Sequence, residues 1–288
     1  MKFNLDFFIN FQKYLIILLP LALVTGPFFP DLIISLCGFL IIICLLIEKN
    51  FFFFKRKILI LFILYCLYLI SLSILKADNI TLSLESSLFY FRFGLLVLSV
   101  FYILSKVPNF ENFFLKYFFI TYNIVLLDSI IQFFFGINSV GLIIYIISRD
   151  INLVHFYGFS YSGIFPSDRL SGLFGKELIL GSYISRLFPF FLIFLYKFYE
   201  NKNNYQKFLL FILFSITFFV VFLSGERSAF FNMIIYFFIF TFIINFNYLF
   251  KLFSILLIVI SISITSIVYK DTFNRMIMKT IEQIYIST

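Results

Sequence analysis

Ile58-Leu-Ile-Leu-Phe-Ile-Leu-Tyr-Cys-Leu-Tyr-Leu-Ile-Ser-Leu-Ser-Ile-Leu75 runs for eighteen residues without a charge, between Lys55-Arg56-Lys57 and Lys76. Lipid offers no partner to backbone N–H and C=O groups, and a helix satisfies them within one segment. A run of this length is what such a helix needs to cross a bilayer. The same pattern recurs along the chain, which is 62% hydrophobic and 12% charged, with 49 Phe and 18 Tyr among 288 residues. A soluble domain carries about 25% charged residues, so composition excludes that class. The fold expected is all-α, a polytopic transmembrane helix bundle forming one integral-membrane domain over residues 1–288.

Nine spans can be read: Tyr14–Thr25, Leu32–Ile47, Ile58–Leu75, Leu88–Leu104, Phe113–Phe135, Leu178–Tyr196, Phe208–Leu223, Ala229–Asn245 and Leu252–Tyr269. Gly, Pro, Asn and charged clusters punctuate the joints. Lys2 to Lys13 lead into an apolar segment with no small-residue cleavage site, so no signal peptide is expected. With the N-terminus inside, the inner segments hold twelve Lys/Arg against four acids and the outer segments eight against nine. That asymmetry is the positive-inside signature. It accounts for the net charge of +8 without calling on nucleic acid. Pro20 marks a kink in the first span or an extension back toward Phe11.

The outer segments are where chemistry is expected. Residues 136–177 form the longest internal one, with Arg149, Asp150, His155, Asp168, Arg169, Lys176 and Glu177. Its apolar piece Val140–Ile147 is short for a span and reads as re-entrant or interfacial. Arg92 and Asp128 sit in neighbouring spans, roughly 6–10 Å below the outer surface at helical rise. They are placed to form an ion pair, either fixing helix packing or serving a substrate. Arg186 lies deeper, on a stripe with Ser182, Ser185 and Pro189 that must face protein or a water-filled groove.

Two polar stretches stand beside apolar runs: Arg169-Leu-Ser-Gly-Leu-Phe-Gly175 and Ser224-Gly-Glu-Arg-Ser228. A charge at such a place is costly and marks a candidate site. Arginine presents a permanently charged planar fork suited to phosphate and diphosphate. Arg169 precedes Gly172 and Gly175, ahead of a helix expected from about Lys176. Glycines permit close backbone approach, and a helix N-terminus offers free N–H groups to an anion. Arg227 lies in a tight turn, where the plainer reading is an arginine snorkelling toward headgroups. Two arginines on one side, next to a polar stripe, favour diphosphate binding by Arg169 and Arg227, with Arg186 added on depth. Glu177 and Glu226 flank them and are expected to orient them.

The order Arg169-Leu-Ser-Gly-Leu-Phe-Gly-Lys-Glu-Leu-Ile-Leu-Gly181-Ser-Tyr, a span, then Leu223-Ser-Gly-Glu-Arg227-Ser-Ala resembles the bacterial O-antigen polymerase and O-antigen ligase family. The resemblance covers mainly residues 130–245. It implies transfer of a glycan from an undecaprenyl-diphosphate carrier to a growing glycan or a lipid core, at the periplasmic face of the inner membrane. Chain-length regulators and other polysaccharide-assembly proteins are the partners it implies. Such proteins continue into a large periplasmic loop that carries a further arginine and a histidine taken as the base. Against that pattern, the tail from Lys270 to Thr288 reads as a truncation at the start of that loop, where Arg275 matches no family motif.

The remaining residues narrow the chemistry. Cys37, Cys44 and Cys66 lie inside apolar spans and read as small hydrophobes. One histidine and no clustered Cys or carboxylates argue against a metal site, and no cofactor is expected. His155 matches no motif and reads as a loop residue. No Walker or Rossmann glycine pattern is present. The Asn79-Ile-Thr81 sequon falls in an outer loop, and Phe51–Phe54 reads as an interfacial anchor. The alternative function is a flippase or transporter of lipid-linked glycans. A transporter tends to show internal repeats and a polar pathway through both leaflets, and neither is evident here.

Overall fold

A computed structural model describes residues 5–49, 57–150, 152, 169–175, 177–199 and 204–243, and the positions 252, 255, 256, 259, 260, 263, 273–279, 281 and 282. His155, Asp168, Lys176, Phe51–Phe54 and most of the expected ninth span lie outside these residues. The described residues are helical or in turns, with no strand among them. The chain forms two compact units, Met1–Phe118 and Phe119–Thr288.

The first unit holds α1 (Leu5–Ala22), α2 (Phe28–Glu48), α3 (Lys57–Lys76), α4 (Ile80–Leu88), α5 (Phe91–Lys106) and the first turns of α6 (Phe110–Phe135). Helix α1 begins well before the expected Tyr14, and Pro20 falls in its last turn, where it withholds one i→i−4 donor two residues before the helix ends. The apolar stretch expected to begin a span at Leu88 is instead broken: α4 stops at Leu88, and α5 restarts at Phe91 after a two-residue turn. Asn79, read first as part of a sequon, is the N-cap of α4 and accepts from Leu82 N–H at 3.3 Å.

The core of this unit is the contact of α2 with α1 and α5. Ile41, Cys37, Cys44, Leu98, Tyr102 and Ile103 are buried in it. Gly38 lets α5 come close: a Cβ there would stand 3.1 Å from the Leu95 side chain. At this point the Cys37 carbonyl accepts from Ser99 Oγ at 3.0 Å and from Gln12 Nε2 at 3.2 Å. Ion pairs close both ends of the α2–α5 contact, Asp31 with Arg92 at 3.0 Å and Glu48 with Lys106 at 2.7 Å. N-terminal end meets N-terminal end, so the two helices run parallel. The expected Arg92–Asp128 ion pair therefore gives way to Arg92–Asp31.

The second unit holds the rest of α6, then α7 (Ser139–Ser148), a single 3-10 turn (Gly172–Phe174), α8 (Leu180–Tyr199), α9 (Asn204–Leu223) and α10 (Arg227–Ile243). Helix α8 packs against α9 and α10 around an aromatic core. The Phe188 ring contacts Phe191, Phe214 and Phe218 at 5.8–5.9 Å between centroids. Phe119 stacks on Phe194 at 4.0 Å, and Tyr122 stacks on Phe191 at 4.9 Å. Such pairs add a directional preference to area burial. The phenylalanine-rich composition is thereby put to structural use.

Among the described residues, five stretches are long and apolar enough to cross a membrane: α1, α2, α3, the α4–α5 segment and α6. Helix α7 has ten residues, about 15 Å of rise, and is too short to cross. The interhelical bonds onto Cys37 give a first prediction. Ser99→Ala should lower stability in detergent by about 0.6 kcal/mol, the average for such bonds between membrane helices. Gln12→Leu should cost less, because it also removes Gln12 Oε1, a buried acceptor without a partner. Thermal unfolding of the two variants in one detergent measures both.

Candidate functional site

The two polar stretches meet in the second unit. Gly225 and Glu226 form the turn between α9 and α10, and Gly225 adopts a φ of 66°, the left-handed region that glycine enters without a Cβ clash. That turn exposes the Ser224 carbonyl, which accepts from Arg169 Nε at 2.6 Å. A Cβ on Gly225 would stand 3.0 Å from the same Arg169 Nε, so the glycine also makes room for the side chain. Leu170 N–H donates to the Leu223 carbonyl at 3.3 Å, and Arg169 Nη2 reaches the Leu178 carbonyl at 3.4 Å. The segment is thus bound to the α9–α10 turn through backbone and side chain together.

Glu226 completes the junction. Its Oε1 accepts from Gly181 N–H at 2.8 Å, and its Oε2 from Ser182 N–H at 3.0 Å and from Ser182 Oγ. These are the first amides of α8, where the helix dipole and unpaired N–H groups favour negative charge. The helix starts at Leu180 and not near Lys176, and its N-terminus is occupied by the protein's own carboxylate. This corrects the expectation that it waits for a substrate anion. It also corrects the part expected of Glu226, whose two oxygens hold a helix end and touch Arg169 only through space. Gly181 is required at this contact: a Cβ would stand 2.3 Å from Ser224 Oγ.

On its other side the Arg169 segment is latched to α6. Gln132 Oε1 accepts from Ser171 N–H at 3.1 Å and from Gly172 N–H at 2.7 Å, while its Nε2 donates to Ser171 Oγ at 3.2 Å. Asn138 Nδ2 donates to the Gly172 carbonyl at 2.6 Å, and Asn138 Oδ1 caps α7 through Gly141 N–H. Asp128 Oδ1 accepts from Ser139 N–H at 2.8 Å and from Ser139 Oγ. Asp128 is therefore the anchor of α7 and stands beside Gly172, where a Cβ would lie 3.5 Å from its Oδ2. Gly172 and Gly175 have φ of 56° and 63°, so they serve the turn as well as close approach. Gln132 and Asn138 were missed in the sequence. Gln132 follows Asp128 by one helical turn in an apolar run, and a polar side chain at such a place is a signal in itself.

The other expected residues fall as follows. Arg227 opens α10 and is half-buried. Arg186 is exposed on α8, whereas its stripe-mates Ser185 and Ser182 turn inward, Ser185 buried and Ser182 on Glu226. Glu177 is exposed, and its backbone N–H closes the 3-10 turn on the Phe174 carbonyl. Arg92 and its partner Asp31 belong to the first unit. Among the described residues no cluster of three His, Cys, Asp or Glu is placed to hold a metal ion.

Arg275 is the addition that sequence reading did not place. The Arg169 guanidinium is pushed below its ordinary range by burial and then by the nearby Arg275 charge, with Glu226 opposing. The Arg275 charge acts on Arg169 through space, and the one carboxylate that opposes it, Glu226, also accepts from the α8 amides. That is an excess of positive charge with donors to spare on Arg169, which suits a phosphate-type anion. No protein-family model, curated protein or solved structure matches the chain.

The junction yields a stability prediction. Glu226→Ala leaves the Gly181 and Ser182 amides without their acceptor and should cost about 1–3 kcal/mol. Gly181→Ala should destabilise comparably through its clash, whereas exposed Glu177→Ala should stay within about 0.5 kcal/mol. Thermal unfolding of the three variants in detergent separates the junction from the surface.

Proposed function

We propose that the chain is a membrane glycosyltransferase of the O-antigen polymerase or ligase type. It grips the diphosphate of a polyprenyl-linked glycan donor and transfers the glycan to a glycan or lipid acceptor. The observation that carries this reading is the Arg169 guanidinium, fixed on the Ser224 carbonyl within reach of the Arg275 charge, while Glu226 is committed elsewhere. The diphosphate is the leaving group, and positive charge placed around it stabilises the transition state. Arg227 joins the site from the same α9–α10 turn, and Arg186 stands about a helical turn deeper along α8. Transfer between lipid-linked glycans draws its free energy from the diphosphate, so neither nucleotide nor metal enters the reaction.

In this reading the helices span a bacterial inner membrane nine times with the N-terminus in the cytoplasm, and the Arg169 junction faces the periplasm. The charge asymmetry supports that orientation, and the parallel run of α2 and α5 is compatible with alternate crossing, which would send these two helices the same way. Reporter fusions after Lys202 should read cytoplasmic and fusions after Asp168 periplasmic. The reverse pattern removes the site from the face where the reaction is placed.

The chemistry is tested with purified protein in detergent, supplied with polyprenyl-diphosphate glycan as donor and acceptor. The glycan should lengthen or move to an added lipid core, with EDTA without effect. Arg169→Ala should lower turnover by about a hundredfold or more, with membrane levels unchanged. Lys at that position should rescue only in part, since it keeps the charge but loses the fork. Gradient-dependent movement of the glycan lipid across sealed vesicles, without bond formation, would replace this reading with a transporter.

A further inference from the structure

Helix α3 touches the first unit along a single narrow seam. Its buried residues are Leu59, Cys66 and Ser73, seven apart, and most of its other side chains are exposed. The seam faces α4 and α5 and is not closed along its length. Toward the middle of α3 an apolar cavity of about 190 Å³ lies between Phe62, Cys66 and Leu67 on one side and Phe91, Gly94 and Leu98 on the other. Gly94 shapes it, since a Cβ there would stand 2.6 Å from the Phe62 ring. An apolar cavity of about 150 Å³ already admits a benzene-sized guest.

At the Lys76 end of α3 the character changes. A cleft of about 380 Å³ is lined by Tyr65, Lys76, Ser83, Ser86, Ser87 and Tyr90, with leucines below them. Lys76 is the charged side chain of this lining, and Asp78 and Glu85 are exposed outside it. The Ser86 and Ser87 hydroxyls donate to the Leu82 and Leu84 carbonyls, and Ser73 Oγ donates to the Leu69 carbonyl at 2.9 Å. With their protons engaged there, these oxygens act toward the cleft they line as acceptors. The two spaces follow one another along α3, with Tyr65 lining the polar one and its neighbour Cys66 the apolar one.

We propose that this seam is a binding site for an anionic phospholipid with a hydroxyl-bearing headgroup, its phosphate on Lys76, its hydroxyls on the serine oxygens and an acyl chain in the apolar cavity. Charge selects the phosphate, and the acceptor-rich serine wall favours a headgroup that brings its own O–H donors. The apolar cavity requires a chain, which a soluble phosphate lacks. The site lies wholly in the first unit and needs only that the apolar helices sit in lipid, so it stands or falls apart from the glycan reaction.

Photocrosslinking tests it with the full chain in nanodiscs of equal phosphatidylglycerol and phosphatidylcholine. Tyr65→p-benzoylphenylalanine places the probe at the border, and Tyr68→p-benzoylphenylalanine places it at an exposed position that lines neither space, as a control for bulk lipid. Mass spectrometry of the adducts should show phosphatidylglycerol enriched about fivefold at position 65 over position 68, the effect of one basic side chain at a lipid surface. Lys76→Gln should abolish the enrichment and Lys76→Arg should keep it, with labelling at position 68 unchanged in both. Glycerol phosphate in solution should leave the adduct intact. Equal lipid ratios at the two positions, or enrichment that survives Lys76→Gln, would overturn the site. Competition by glycerol phosphate would make the cleft a soluble-phosphate site and overturn the lipid.

Discussion

The carboxylate of Glu226 on the first amides of α8 is the contact that organises the second unit. A helix end left bare at this part-buried junction would hold unpaired N–H groups, at a cost of about 1–3 kcal/mol. Glu226 answers that need from the next turn but one in the chain, binding Gly181 and Ser182 with both oxygens. Because Glu226 is the residue before α10, the same contact sets where α10 begins. It also brings Ser224 to Arg169, so the geometry of the cationic surface follows from a bond whose first service is to the backbone.

The opposite wall of the Arg169 segment obeys the same rule with neutral groups. An extended stretch near apolar helices must hand its amides to someone, and Gln132 takes two of them on one oxygen while Asn138 supplies a donor to Gly172. Each amide group serves both of its ends, which ties the segment to α6 and to the start of α7. A rigid segment is what a fixed guanidinium requires: a fork that must aim at a diphosphate gains nothing from freedom it would lose on binding. The excess of cations over available carboxylates then turns a structural junction into a candidate for anion chemistry.

The first unit solves a different problem. Helices in lipid gain little from apolar contact with one another, because acyl chains are equally apolar. Close packing and polar pins hold them, and α2 and α5 use both: Gly38 for approach, the Cys37 carbonyl for a shared acceptor, and ion pairs at the two ends. Helix α3 lacks such pins over most of its length, and its seam is correspondingly open. A bilayer component filling that seam is consistent with the way the helix is left.

The helical class and the apolar, membrane-crossing length of α2, α3 and α6 were legible in the sequence, because apolar run length is a one-dimensional property. The short α7 was legible for the same reason. Partner choice was not. Depth alone matches Arg92 with Asp128, yet depth fixes only one coordinate: Arg92 pairs with Asp31 within the first unit, and Asp128 accepts from Ser139 within the second. The α8 N-terminus was read as an open anion site since nothing in a linear string says that a carboxylate 45 residues away will fold onto it. Gln132 stayed hidden inside an apolar run for the converse reason: its meaning lies in the two amides it accepts from, and these come from a segment 39 and 40 residues further along. Residue type announces where a polar group will be costly; only the packed chain decides which group meets that cost.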